Sequence, residues 1–212
     1  MLFRSPKRLA VIGGGPIGCE LAQAFQRLGS EVTLIHKNAQ LLDKEDPDAA
    51  AIVQTQLQKD GVTIFTNAQV QNVSVDDRGK VLTIQLPNGQ ITEIIVDEIL
   101  IGAGRSPNVE NLNLGAIGVE FDRRKGVLVN DYLQTTQPHI FAAGDVCMNW
   151  KFTHAADFAA RIVIKNAFFS PFGLGKSKLS NLVMPWVTYT QPEIAHVGLY
   201  ARSEERRVGK EC

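Results

Sequence analysis

Gly13, Gly15 and Gly18 stand at G-x-G-x-x-G spacing in the stretch RLAVIGGGPIGCE, directly behind the apolar run Arg8–Ile12. Glycine in the first position permits a tight turn, and in the second it lets backbone approach a pyrophosphate. In the third it lets a helix pack closely on the strand. The N–H groups and positive dipole end of the helix that follows favour an anion at the same point. The spacing alone is a weak sign. Between a strand and a helix it specifies dinucleotide binding, against the plain alternative of a structural turn.

Which dinucleotide depends on the end of the second strand. An acid there accepts ribose hydroxyls, whereas basic residues suit a 2′-phosphate. This chain reads VTLIHKNAQ, with His36 and Lys37 at the point of decision and no acid before Asp43. Lys37 attracts a 2′-phosphate that a carboxylate would repel, which favours NADPH over NADH; the plainer reading of Lys37 is a solvated loop charge. Replacing His36 with Glu is expected to move the preference toward NADH.

Those residues need strands and helices to hold them. RLAVI (8–12) reads as a strand, and PIGCELAQAFQRLG (16–29) carries Ile17, Leu21, Ala24, Phe25 and Leu28 at helical spacing. EVTLI (31–35) gives a second strand. A second helix over 46–61 opens on Asp-Pro-Asp, turns Ile52, Val53 and Leu57 inward and stops at Gly61. VTIF (62–65) closes a βαβαβ pattern, which predicts a parallel sheet with right-handed crossovers. The period then falls to two, broken at Asp77-Arg78-Gly79 and Asn88-Gly89, the chemistry of tight hairpins. A three-stranded antiparallel meander is expected there, followed by EILIGAG as a last apolar strand. Beyond Gly104 come an irregular stretch, the short apolar runs VLVN and HIFAAGDV, and a helix over 153–169. A Gly/Pro/Ser-rich linker precedes MPWVTYTQPEIAHVGLY, which reads as strands.

Composition narrows the classes. Lys+Arg and Asp+Glu each number 22, so net charge gives no case for nucleic acid or an acidic membrane surface. No apolar run reaches the ~18–20 residues of a membrane span, and the first residues lack a signal-peptide core. Cys19, Cys147 and Cys212 are too far apart for a zinc motif or a close redox pair, and Cys19 and Cys147 read as inert packing residues. Neither do His36, His139, His154 and His196 have ligand spacing, so no metal site is expected. The expected compartment is the cytoplasm.

Taken with the meander, IGAGRSPN and IFAAGDV, the chain from Pro6 to Tyr200 resembles the pyridine nucleotide-disulfide oxidoreductases. That family includes dihydrolipoamide dehydrogenase, glutathione reductase and mercuric reductase, and HAADFAARIVIKNAFF and MPWVTYTQPEIAHVGLY look nearest the mercuric-reductase-like branch. The resemblance implies that GGGPIGCE is the NAD(P)H motif rather than the FAD motif. It implies that Gly13, Gly14, Gly15, Pro16, Ile17 and Gly18 line the pyrophosphate and that Glu20 lies near the nicotinamide and flavin rings. By the same resemblance His36 and Lys37 lie at the adenosine ribose, Val70 beside the adenine and Gly104 near the nicotinamide half. The resemblance further implies that Asp145 accepts a hydrogen bond from the ribityl chain of FAD and that Lys151, Phe152, Thr153 and His154 begin a helix aimed at the flavin pyrimidine. The plain readings are a first-turn acid for Glu20 and a turn-forming Gly-Asp for Asp145.

The family passes hydride from NAD(P)H to flavin and on to a close-spaced cysteine pair, and a C-terminal His-Glu couple serves many members as acid/base. These 212 residues hold no such pair, flavin-binding glycine motif or couple, so no complete catalytic set is expected. The fold class is α/β: a Rossmann-like NAD(P)-binding domain with meander (6–103) and part of a split FAD-binding domain (104–170). A linker (171–180) and the start of an interface domain (181–201) follow. Residues 202–212, RSEERRVGKEC, match the translation of a sequencing adapter and are read as an artefact, and MLFRS reads as an arbitrary start. The expected function is part of a flavin-dependent oxidoreductase, a homodimer as the whole protein, with NADP (or NAD) and FAD as cofactors. Its acceptor is a small thiol/disulfide substrate or Hg(II), with no nucleic acid or membrane partner. The alternative is a stand-alone nucleotide-binding module without catalysis.

Overall fold

A computed structural model describes residues 5–200, which divide into two units: residues up to Gly104 with those from Pro185 onward, and Arg105–Met184. The adapter reading of 202–212 lies outside the described residues.

In the first unit β1 (Arg8–Ile12), α1 (Pro16–Arg27), β2 (Glu31–Ile35), α2 (Pro47–Lys59) and β3 (Thr63–Phe65) alternate as the two periodicities require. The antiparallel meander follows as β4 (Gln69–Asp76), β5 (Gly79–Gln85) and β6 (Ile91–Val96). Then β7 (Glu98–Ile101) returns to lie parallel to β1, giving a parallel sheet of order β3-β2-β1-β7. The winding direction reverses between β1 and β7, and in sheets of this kind ligands bind outside the carboxyl ends of the strands at that point. The glycine turn sits there.

Alternation along β1 loads both faces of the sheet. Leu9 and Val11 join Cys19 and Ala22 of α1 and Ala50, Val53 and Leu57 of α2. Ala10, between them, faces the opposite way, into a cluster with Leu82, Ile84 and Val96 of the meander. The result is helices on one side and a sheet on the other, each fully buried Leu or Ile contributing roughly 1.5–3 kcal/mol.

The faces that the two helices bury are not simply their hydrophobic rows. On α1 the buried face is Gly18, Cys19, Ala22 and Gln23, while Ile17, Leu21 and Leu28 are exposed. The cause is the close approach of α1 to β1 at Gly18: near that point only small side chains, Gly18, Cys19 and Ala22, fit beneath the helix, while Phe25, further along, packs against the core. On α2 the stripe Ala50, Val53 and Leu57 is buried, and Ile52, expected inward, is 60% exposed because it falls on the neighbouring flank.

The hairpin of β10 (Pro185–Thr188) and β11 (Ile194–Val197) completes the first unit. It is fastened by side chains: Trp186 Nε1 donates to Glu45 Oε1 at 2.7 Å. Gln23 Nε2 donates to the Gln191 carbonyl at 2.9 Å, and the Gln191 N–H donates back to Gln23 Oε1 at 2.7 Å.

The second unit has little regular structure besides α3 (Thr153–Phe168). VLVN contributes Val127 to a two-residue pair of β8 (Phe121–Asp122) and β9 (Gly126–Val127), and HIFAAGDV contributes a single bridge from Phe141 to Gln134. The stretch read as a linker is tied down. Ser177 N–H donates to Asn166 Oδ1 at 2.8 Å, and Asp131 accepts from the N–H and hydroxyl of Ser180 at 2.8 and 2.7 Å. Among the described residues no helix is long and apolar enough to cross a membrane.

Candidate functional site

The three glycines of the turn are not equivalent. Gly13 has φ +112°, and a Cβ on it would lie 2.6 Å from the Gly102 carbonyl oxygen, where β7 ends. A Cβ on Gly18 would collide with the Gly13 carbonyl oxygen. Both are therefore glycine because the fold leaves no room. Gly15 is different: its φ of −78° suits any residue, and a Cβ would meet nothing within 4 Å. Nothing among the described residues demands glycine there, so open space in front of its backbone is the feature that its lack of a side chain preserves.

Gly15 is also the N-cap of α1, and no side chain caps the helix. Pro16 follows at the first helical position, where it has no N–H to lose. The N–H groups of Ile17 and Gly18, which no earlier turn can satisfy, face the same region as at any helix start. An uncapped helix end beside a side-chain-free residue is a ready anion site, and this cradle fits the pyrophosphate of a dinucleotide.

Around it, Lys37 is exposed at the end of β2, whereas His36 is buried with its ring against the turn. His36 Nδ1 accepts the Gly14 N–H at 3.0 Å, and burial pushes its pKa below the usual histidine value, with the nearby Asp43 opposing that shift. Glu20, on α1, accepts the Tyr189 N–H at 2.8 Å. Val70 is half-buried near the start of β4, in the cluster that joins sheet and meander. Gly104 has φ +113° with open space on its side-chain side.

In the second unit Asp145 lies in a short 3-10 turn, Gly144–Val146, with its carboxylate 3.8 Å from the Arg105 guanidinium. Lys151 Nζ donates to the carbonyls of Asp145 at 2.9 Å and Met148 at 3.2 Å, and its own carbonyl accepts from Arg105 Nη1 at 2.6 Å. Phe152 is the N-cap of α3, which Thr153 and His154 begin, and the Phe152 and His154 rings stack at 5.3 Å. Lys151 and Arg105 thus fix the turn that presents Asp145.

Sequence reasoning passed over Arg105, although it stands directly after a strand-end glycine in GAGRSPN, where a charged residue is a visible signal. It also passed over a cluster of Glu45, Trp186, His196 and Tyr200. Trp186 and His196 stack at 4.3 Å, Tyr200 lies 4.1 Å from His196, and His196 Nδ1 is 3.8 Å from Glu45. No local pattern links a helix-preceding acid to a hairpin 141 residues away. Cys19 is fully buried and its thiol pushed up to about 12, and Cys147 to about 11, so neither is a ready nucleophile.

Residues 3–160 match the family model described as pyridine nucleotide-disulphide oxidoreductase. A mercuric reductase of Staphylococcus aureus is 40% identical over 194 residues, 92% of this chain and 35% of the relative. A dihydrolipoyl dehydrogenase of Thermus scotoductus is 38% identical over 205 residues, 96% of this chain and 43% of the relative. Among solved structures, the Cu(II) complex of the HOCl-induced flavoprotein disulfide reductase RclA from Escherichia coli superposes with a TM-score of 0.86 at 29% identity. It is matched over 97% of this chain and 45% of its own. The chain thus spans about a third to under half the length of these relatives. With the glycine turn at the reversal of a doubly wound sheet, an antiparallel meander behind it, and a family match over most of its length, the chain belongs to the pyridine nucleotide-disulfide oxidoreductases.

Proposed function

We propose that the chain is the nucleotide-binding portion, with part of the flavin-binding portion, of an oxidoreductase using NADPH and FAD. The glycine turn holds the dinucleotide pyrophosphate, Lys37 attracts a 2′-phosphate, Val70 lies by the adenine, and Glu20 and Gly104 lie by the nicotinamide. Asp145 takes a hydroxyl of the flavin side chain, and the start of α3 at Lys151–His154 lies at the flavin pyrimidine. Bound together, the cofactors supply hydride transfer from nicotinamide to flavin and an electron pair for a disulfide or Hg(II). The complete protein is a homodimer of the cytoplasm. The observation that carries the reading is Gly15, a glycine with open space on its side-chain side, at the uncapped start of α1.

Exposed aromatic surface favours this over a self-contained binding module. Along α3 and just past it, Phe158 is 41% exposed, Phe168 74% and Phe169 72%. Exposed phenylalanines along one helix and at its end support a face that other protein covers.

The test is calorimetric titration of the 212-residue chain with NADP⁺ and NAD⁺ at pH 8. NADP⁺ is expected to bind more tightly, and Lys37→Glu to reduce the NADP⁺/NAD⁺ affinity ratio at least tenfold. Binding of neither nucleotide refutes the dinucleotide reading; an unchanged ratio in Lys37→Glu refutes the role of Lys37.

A further inference from the structure

Gly14, the residue between the first two glycines of the turn, is held on every side by the protein itself. Its N–H donates to His36 Nδ1 at 3.0 Å, and its carbonyl accepts the Leu42 N–H at 2.7 Å and the Cys19 thiol at 3.4 Å. A Cβ on Gly14 would fall 2.9 Å from His36 Cγ and strike Leu41. The imidazole is therefore wedged against the inner side of the turn, 6% exposed, at the end of β2. The hydrogen bond also fixes its chemistry. A nitrogen that accepts an amide N–H carries no proton, so the ring is neutral with its proton on Nε2. That Nε2 is buried without a hydrogen-bond partner among the described residues.

We propose that His36 is a positioning residue for the nucleotide site: its neutral ring clamps the glycine turn in binding shape through Gly14, and protonation of the ring releases the turn and lowers nucleotide affinity. The proposal rests on the dinucleotide reading above, but it assigns His36 a task that reading does not contain, one directed at the turn rather than at the ribose. On protonation an N–H at Nδ1 faces the Gly14 N–H, donor against donor at 3.0 Å, and one of the two must move. The open arm of the turn is Gly15, so displacement of Gly14 carries directly into the backbone that meets the pyrophosphate.

The surroundings hold the clamp closed near neutrality. Lys37 and Asp43, on the loop after β2, act on the ring in opposite directions, and the Gln40 carbonyl favours the proton; burial outweighs them and keeps the pKa below its ordinary value. From α1 the Cys19 thiol reaches the Gly14 carbonyl at 3.4 Å, and burial keeps it neutral. Neither the glycine turn nor residues 63–68 bring an ionisable side chain.

Two variants and two ligands separate this from other sources of pH dependence. The 2′-phosphate of NADP⁺ itself titrates near pH ~6, so NAD⁺, which lacks it, is the deciding probe. For the wild-type chain, calorimetry from pH 8 to pH 5 is expected to give an NAD⁺ affinity that falls up to about tenfold per pH unit below the His36 value. His36→Asn places an acceptor where Nδ1 was and cannot take the proton; it is expected to restore the clamp and give a flat NAD⁺ profile. His36→Leu fills the space without an acceptor and is expected to lose at least tenfold at pH 8. A His36→Asn profile that falls as the wild type's does overturns the proposal, as does full affinity in His36→Leu. Imidazole ¹⁵N spectra at pH 7 read the clamp independently of binding. A proton on Nε2 is expected even if neither nucleotide binds, in which case the dinucleotide reading alone has failed, and a proton on Nδ1 overturns the clamp whatever the titration gives.

Discussion

Replacing Trp186 with Phe tests what fastens the β10–β11 hairpin to the rest of the first unit. The indole N–H donates to Glu45 Oε1 at 2.7 Å, and the Glu45 side chain is only 5% exposed. Removing the donor leaves a buried carboxylate short of a partner, a change that costs about 1.5–3 kcal/mol for a hydrogen bond to a charged group. Shrinking a half-buried indole to a phenyl also loosens its stack on His196, adding about 1 kcal/mol. A total of about 2.5–4 kcal/mol corresponds to a roughly 60- to 700-fold larger opening equilibrium constant. Hydrogen exchange at the β10 and β11 amides measures this directly, with urea unfolding followed by circular dichroism as the global readout. Glu45→Gln keeps an acceptor for the indole while removing the charge, so it is expected to fall between the wild type and Trp186→Phe. Hairpin exchange within threefold of the wild type in Trp186→Phe would show that the indole–carboxylate bond is not what holds the hairpin.

Other substitutions probe the site and its support. Gly18→Ala drives a methyl into the Gly13 carbonyl, and since the atoms it meets belong to backbone the turn must deform. A loss of about 2–4 kcal/mol by urea unfolding is expected, with NADP⁺ affinity reduced at least tenfold by calorimetry. For Cys19 the folded thiol is raised from 9.0 to about 12. The unfolded chain therefore releases its proton first as the pH climbs. The contribution of Cys19 is complete below about pH 9 and is lost as the pH rises from there toward 12. In Cys19→Ala, urea midpoints measured from pH 8 to pH 10.5 are expected to decline less steeply than those of the wild type. Alkylation at pH 8 followed by mass-spectrometric mapping is expected to leave Cys19 and Cys147 unmodified until urea is added; rapid labelling of Cys19 in the folded chain would contradict its burial.

The alternating elements of the first unit were legible because each segment carries its own period and its own punctuation. Pro16 opens α1, Pro47 opens α2, and Asn88-Gly89 turns the meander. The return of β7 to the side of β1 was not legible, since a parallel pairing across the whole meander is chosen by burial of both sheet faces rather than by any local pattern. The inward face of α1 was hidden for a related reason. Hydrophobicity marks Ile17, Leu21 and Leu28, but the fold selects Gly18, Cys19 and Ala22 by size, because the helix lies so near the strand.

The same distinction governs the site. G-x-G-x-x-G spacing announces a turn and a helix start, yet it treats the three glycines alike. Geometry separates Gly13 and Gly18, required by the backbone around them, from Gly15, which the chain does not require. His36 divides in the same way. Position alone sends it outward to a ribose, because side chains at the end of β2 in such folds commonly reach that group. Its ring turns inward instead, since Gly14, with no side chain, leaves a space against the turn that an imidazole fills while supplying the one acceptor the Gly14 N–H needs. Lys37 is the exposed charge beside it, and under the proposals above the two adjacent residues act on different parts of one site: Lys37 on which nucleotide binds, His36 on whether the turn is shaped to bind either. A Lys37 substitution should therefore change the ratio of the NADP⁺ and NAD⁺ affinities, whereas a His36 substitution that leaves no acceptor should lower both together.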